Sequence, residues 1–346
     1  MITGGLFDLQ VNGFAGVDFN DAGLTPEAFD RALAGMLETG VTLCLPTLIT
    51  ADEATLAVRF RALDHAVRES RLGPRMVPGY HLEGPFLNPT EGYAGCHPRE
   101  VMIPPDIDLV ARVEAGLSRP ILLITLAPEQ AGSESFVRAA VEGGKIVAVG
   151  HSSADVETIG RSATAGATLS THLGNGIAQT HHKFANSLFA QLSEDRLVAT
   201  FIADGIHIPP SALKVMLRAK SLARSILVTD AVAAAYAPPG EYPFAGMVVE
   251  RSGDGTVRLP RSTYLAGSSL TLDDAVRNVV DWGLCTFDEA IAMAHDHPIA
   301  AMQPALAKHG IVLDPGEVEW GPDLRIRQVM LAGEVYRSRR QSAAVT

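Results

Sequence analysis

Glu83, His151 and His172 are the residues whose types and positions point to chemistry in this chain. Each closes a short apolar segment, Glu83 in HLEGPF, His151 in AVGHS and His172 in STHLGN. Any one of them alone reads as a helix cap or a satisfied structural side chain. Together, one carboxylate and two imidazoles supply three protein ligands and leave a position for water, the arrangement of a catalytic rather than a structural Zn²⁺ or similar divalent site. Such an ion lowers the pKa of its water toward neutrality and polarises a carbonyl. Asp230, in LVTDA at the end of a further apolar segment, suits a general base toward that water and then a general acid toward the leaving group. Zn²⁺ is the first choice of metal, and Fe²⁺, Co²⁺ or Mn²⁺ suit the same donors.

Other residues group around these. His207, in ADGIHIPP, also follows a strand end and suits an anionic or hydroxylated group. His97, in GYAGCHP, lies in the loop after the third segment, where glycines let the backbone approach a ligand. His181, His182 and Lys183 form a cationic triplet able to receive an anion, an exposed polar turn being the simpler reading. Gln10 and Asn12 are neutral amides where a histidine pair would bring a second metal, and LAPEQ lacks a lysine that could be carboxylated to bridge two. One metal ion per chain is therefore expected. Cys44, Cys96 and Cys285 have no CxxC spacing, so neither a disulfide framework nor a thiolate zinc site is indicated.

The elements that must hold these residues are legible in the apolar pattern. Eight segments, LFDLQVNG, VTLCLPTL, MVPGYHLEG, PILLITLAP, KIVAVGHS, ATLSTHLG, ATFIADG and SILVTDA, read as strands buried on both faces. Stretches of helical period lie between them, several opening on Thr, Ser or Asp and closing on glycine. This alternation predicts an α/β fold, a (β/α)8 TIM-type barrel, whose strand ends gather the polar residues on one rim. A doubly wound open sheet shares the alternation but has no single centre for those ends. A hairpin is expected at about 241–265, then two helices, SLTLDDAVRNVVDWG and TFDEAIAMAHDHPIAAMQPAL, and a β-ribbon toward the C-terminus. The division expected is a barrel over residues 1–300 and a reduced small β domain over 301–346. The 346 residues carry a net charge of −11 with 47% hydrophobic and 19% charged residues, which excludes disorder and disfavours nucleic acid as a partner. No apolar run reaches the roughly 20 residues of a membrane span, and the reading is a cytoplasmic protein.

Taken in order, DLQVNGFAGVDFND, HLEGPF, GCHP, LAPE, GHSSAD, THLGNG, ADGIHI, VTDA and LAGSSLTL resemble the motif series of the N-acetylglucosamine-6-phosphate deacetylase family of the amidohydrolase superfamily. The resemblance implies hydrolysis of N-acetylglucosamine 6-phosphate to glucosamine 6-phosphate and acetate. It implies one divalent metal on Glu83, His151 and His172, with Asp230 as the catalytic acid and base. It also implies that Cys96, His97, Asn175 and Gly176 contact the N-acetylated sugar, that His207 helps hold the phosphate, and that Leu265, Ala266 and Gly267 cover the substrate. Lys183 stands at about the place of the family's phosphate-gripping arginine, and the family's usual assembly is a homodimer in which a neighbour's residue reaches the substrate phosphate, a role open to the His181, His182 and Lys183 triplet. The substitution by Lys183 leaves open a deacetylase or amidohydrolase acting on an unphosphorylated or different N-acyl substrate. A non-catalytic barrel is the remaining alternative.

Overall fold

The computed structural model describes residues 1–261 and 264–338. The eight apolar segments pair in parallel and in chain order as Leu6–Val11 (β1), Val41–Ile49 (β2), Tyr80–Glu83 (β3), Ile121–Leu126 (β4), Ile146–Val149 (β5), Leu169–Ser170 (β6), Val198–Ile202 (β7) and Ser225–Val228 (β8). Beyond β8 the chain returns to β1 through main-chain bonds, Asp230 N–H to Gln10 O at 2.9 Å and Asn12 N–H to Ala231 O at 2.7 Å, which close the barrel. Every residue of β1, β2 and β4 is buried, since helices cover one face of the sheet and the barrel interior the other.

Side-chain caps start several of the helices, with Thr25, Asp52 and Asp155 each accepting a first-turn N–H. Three helices, Ile107–Glu114, Ser187–Ser193 and the one-turn Gly73–Met76, are additional to the sequence reading. The second is short, and Lys220 Nζ donates to the carbonyls of Gln191 at 2.7 Å and Glu194 at 2.6 Å, satisfying groups its own turns leave open. The stretch expected as one helix after Thr286 is two, Phe287–Ala294 and Asp296–Lys308, parted at His295 with φ −128° and ψ −67°. Pro298, in the first turn of the second, has no N–H to carry the first helix onward.

Both ends of the chain build the small β domain. Ile2–Gly4 pairs antiparallel with Glu317–Trp320, which continues through Ile326–Leu331 to Glu334–Arg337. Val318, Trp320, Ile326, Val329 and Leu331 are buried in the same core as the barrel, and the Trp320 indole N–H donates to Thr3 Oγ1 at 2.9 Å. The structure thus differs from the expected division, because residue 300 falls inside Asp296–Lys308 and the first residues belong to the C-terminal sheet. Residues 339–346 of the expected ribbon lie outside the described residues. The hairpin expected at 241–265 is a three-stranded sheet of Gly240–Phe244, Met247–Arg251 and Val257–Arg258, and residues 262–263 of that span are likewise outside the description.

Asp8 of β1 is buried where the barrel closes. Its Oδ2 accepts from the Thr229 hydroxyl at 2.5 Å, and its Oδ1 from the N–H groups of Thr229 at 3.2 Å and Gln10 at 3.3 Å. Burial outweighs these bonds and pushes the carboxyl from 3.8 up to about 7. The folded chain therefore holds this proton more tightly than the unfolded chain does. Stability falls as pH rises between those two values, by on the order of 4 kcal/mol. In Asp8→Asn the N–H donors keep an oxygen, and the Thr229 hydroxyl can turn to Gln10 O at 3.3 Å. Melting the two proteins at about pH 5 and about pH 8 is expected to show the variant gaining on the wild type at the higher pH. A difference independent of pH would contradict this account of Asp8.

Candidate active site

The polar strand ends converge on one rim. Glu83 is the last residue of β3, while His151, His172 and Asp230 each stand two residues past β5, β6 and β8. All three of those residues adopt left-handed backbone, with φ of 50° at His151, 28° at His172 and 49° at Asp230. Such conformations cost non-glycine residues roughly 1–3 kcal/mol each and persist where the surroundings impose them, as at functional sites. Here the same turn is imposed at three strand ends around one centre.

Glu83 is the hub of that centre. Its Oε1 lies 3.0 Å from His172 Nε2 and 3.4 Å from His151 Nε2, and its Oε2 lies 3.9 Å from His97 Nε2. Burial works to raise the Glu83 carboxyl, but the imidazoles of His151 and His172 outweigh it and hold the group well below its ordinary range. Burial equally opposes a charge on His172, and the facing Glu83 carboxylate overrides it and raises the imidazole. His97 is pushed down to about 3, by burial first and then by His151, and so is neutral. Glu83, His97 and His151 offer ligand atoms all within 4.8 Å of one another, a group that can hold a metal ion, and His172 reaches the same carboxylate. The donor set is therefore one larger than the sequence reading expected. Its chemistry fits a divalent cation, since His151 Nε2 is buried without a hydrogen-bond partner beside an ionised carboxylate that His172 Nε2 also faces. His151 Nδ1 lies 2.7 Å from Tyr93 O, which can only accept, so Nδ1 carries a proton and Nε2 is the atom turned toward Glu83.

Asp230 faces this cluster across the strand-1 amides. Gln10 Nε2 donates to Glu83 Oε2 at 3.1 Å and to Asp230 Oδ1 at 3.2 Å, and Asn12 Nδ2 donates to the same Asp230 oxygen at 2.7 Å. Burial, reinforced by the Glu83 charge, pushes the Asp230 carboxyl up to about 6.

A cavity of about 760 Å³ opens over the cluster. Glu83, His151, His172 and Asp230 line it together with the expected Cys96, His97, Asn175, Gly176, His207, Leu265 and Gly267. Gly176 has φ 61°, and a Cβ there would lie 2.7 Å from His151 Nδ1, so only glycine lets this wall approach the imidazole. Burial pushes the Cys96 thiol up to about 12, which leaves it no thiolate nucleophile. His207 Nδ1 lies 2.6 Å from Asp204 Oδ2. Two expected residues do not line the cavity. Ala266 is buried behind it with its N–H on Val257 O at 3.2 Å. Lys183 is exposed with its Nζ over the Phe184 ring at 5.7 Å. The reason is the turn it sits in: His182 Nδ1 accepts the Ala185 N–H at 2.9 Å and Asn186 Nδ2 donates to His182 O at 2.8 Å, which leaves His181 to line the cavity in its place.

Curated relatives are similar to this chain over most of their length. No family model matches the chain. An N-acetylgalactosamine-6-phosphate deacetylase from Escherichia coli O157:H7 is 32% identical over 338 residues, covering 95% of this chain and 85% of the relative. An N-acetylglucosamine-6-phosphate deacetylase from Bacillus subtilis is 32% identical over 288 residues, covering 82% and 71%. The chain belongs to the N-acetylglucosamine-6-phosphate deacetylase family. Solved deacetylase structures agree. An aspartate-to-alanine variant from Mycobacterium smegmatis in complex with N-acetyl-D-glucosamine-6-phosphate superposes with TM-score 0.86 at 26% identity, covering 97% of this chain and 87% of that one. The Pasteurella multocida deacetylase gives TM-score 0.83 at 27% identity, covering 97% and 86%.

In this deacetylase the sequence reading missed the groups that hold the ligand loops and part of the cavity wall. Glu129, of the LAPE motif, accepts from Asn88 Nδ2 at 2.7 Å, Ser153 N–H at 2.6 Å and Ser152 Oγ at 2.7 Å, tying the turn after His151 to the end of β4. LAPEQ has no lysine to bridge two metals, and its glutamate instead carries these bonds. Arg258, Glu91, Phe244 and Tyr264 also line the cavity. Three of these come from the segment read only as a hairpin and its flank.

Proposed function

We propose that this enzyme hydrolyses the N-acetyl group of N-acetylglucosamine 6-phosphate, giving glucosamine 6-phosphate and acetate, with one divalent ion held by Glu83, His151 and His172. The observation that carries the reading is the convergence of Glu83, three imidazoles and Asp230 at one cavity in a chain of this family. The bound ion supplies Lewis acidity toward a water and an amide carbonyl. Glu83, His151 and His172 are chosen as ligands because they are anchored at strand ends, two of them in strained backbone, whereas His97 stands on a loop. Thr50 Oγ1 lies 2.8 Å from His97 Nδ1, and in the tautomer that accepts there His97 carries an Nε2–H to orient and polarise the acetyl carbonyl. Asp230 takes the proton of the attacking water on Oδ2, since Oδ1 already accepts from Asn12 and Gln10, and returns it to the departing amine. The Gln10 amide between the two carboxylates supports the count of one ion, because its NH₂ lies where a second cation would bridge them.

Zn²⁺ is the proposed ion, and a cytoplasmic homodimer is the proposed state. No described helix is long and apolar enough to cross a membrane. The test is acetate release from N-acetylglucosamine 6-phosphate, N-acetylgalactosamine 6-phosphate and unphosphorylated N-acetylglucosamine. The phosphorylated glucosamine derivative is expected to have the highest kcat/KM, roughly 100-fold above the plain sugar, the worth of a charge-assisted phosphate contact. Equal values for the phosphorylated and plain sugars would overturn the phosphate part of the reading.

A further inference from the structure

We propose that Arg258 grips the phosphate of the substrate from the three-stranded sheet at the cavity wall. This rests on the substrate being an amino sugar phosphate. Arg258 is the one lysine or arginine among the described residues that line the cavity. Lys183, at the family's position, is turned out to solvent over Phe184. Among the described residues of one chain, Arg258 is thus the permanent cation that a phosphate in this cavity meets.

The surroundings of Arg258 suit that task. Its backbone pairs with Glu250 on one side and bridges to Leu265 on the other, so it is fixed at the base of the wall formed by Leu265 and Gly267. Among the described residues it forms no ion pair. Asp254, which feels its charge, accepts the Thr256 N–H at 2.9 Å instead. The other candidates at the mouth are already engaged. His207 faces the Asp204 carboxylate, and His181 Nδ1 is bonded to Ala178 O at 2.9 Å. The Glu91 carboxylate also lines the cavity, which makes a fixed cation the more necessary for holding a dianion there. A guanidinium presents a planar fork that matches two phosphate oxygens at once, where an ammonium offers a point charge. The phosphate end of the sugar is thereby directed at the three-stranded sheet, away from the 181–183 turn.

Steady-state kinetics on Arg258→Met, Arg258→Lys and Lys183→Met, with phosphorylated and plain N-acetylglucosamine, test this. Arg258→Met is expected to raise KM for the phosphorylated sugar by about 10- to 100-fold, far more than it changes kcat. The kcat/KM ratio of phosphorylated to plain sugar should collapse toward one. Arg258→Lys should recover part of that ratio, which a merely structural role of the sheet does not predict. Inorganic phosphate, as a competitive inhibitor, should weaken in parallel. Lys183→Met should keep the wild-type ratio. Loss of the ratio in Lys183→Met with its retention in Arg258→Met overturns the proposal and leaves the substrate reading intact. A wild-type ratio near one overturns both.

Discussion

Replacing Asp230 by asparagine is expected to lower kcat by roughly 10²–10⁴-fold while one metal ion per chain remains bound. The substitution is nearly isosteric, and the oxygen that accepts from Asn12 at 2.7 Å and Gln10 at 3.2 Å can be kept. What is lost is the carboxylate oxygen free to carry a proton between water and amine. Among the described residues the Asp230 side chain bonds to Gln10 and Asn12 and not to Glu83, His97, His151 or His172, so the metal should stay. The wild-type pH profile should show the same group. With the carboxyl pushed up to about 6 by burial and by Glu83, the base is ionised only above that region, so kcat/KM should fall on the acid side. A bound cation draws the limb to lower pH. In Asp230→Asn that limb should vanish. Retained turnover with bound metal would remove Asp230 from the mechanism.

The second large effect separates the two histidines that compete for the third ligand position. His172→Ala should cut bound metal to about a tenth or less of one ion per chain, and turnover with it. His97→Asn should keep the metal and lose turnover, because His97 is read as a donor to the carbonyl rather than as a ligand. Metal analysis by mass spectrometry on both variants decides the matter. If His97→Asn empties the site and His172→Ala does not, the ion is held by the Glu83, His97 and His151 group instead.

The barrel was legible because its strands are buried on both faces and so read as unbroken apolar runs, most of them ending on a polar residue that had no structural reason to recur. Glu83, His151, His172 and Asp230 were visible for that reason. The pairing of Ile2–Gly4 with Glu317–Trp320 was not, since a three-residue strand has no period of its own and its partner lies at the other end of the chain. The split at His295 was hidden by an apolar pattern that continues on both sides of it. That Lys183 faces away from its own chain's cavity was not legible, because the direction of its turn is decided by bonds from His182 and Asn186 to main chain, which spacing does not encode. Arg258 was overlooked in a strand that reads as plain ribbon, and only the packing of the three-stranded sheet against the barrel mouth brings it to the cavity.

The most direct test is a metal titration. Protein stripped of metal by chelation is supplied with Zn²⁺ in increments, and acetate release from N-acetylglucosamine 6-phosphate is followed at each step. The expected result is no release from the stripped protein, a linear rise, and a plateau at one equivalent per chain. Full release without metal, or a plateau only at two equivalents, would contradict a single ion held by Glu83, His151 and His172.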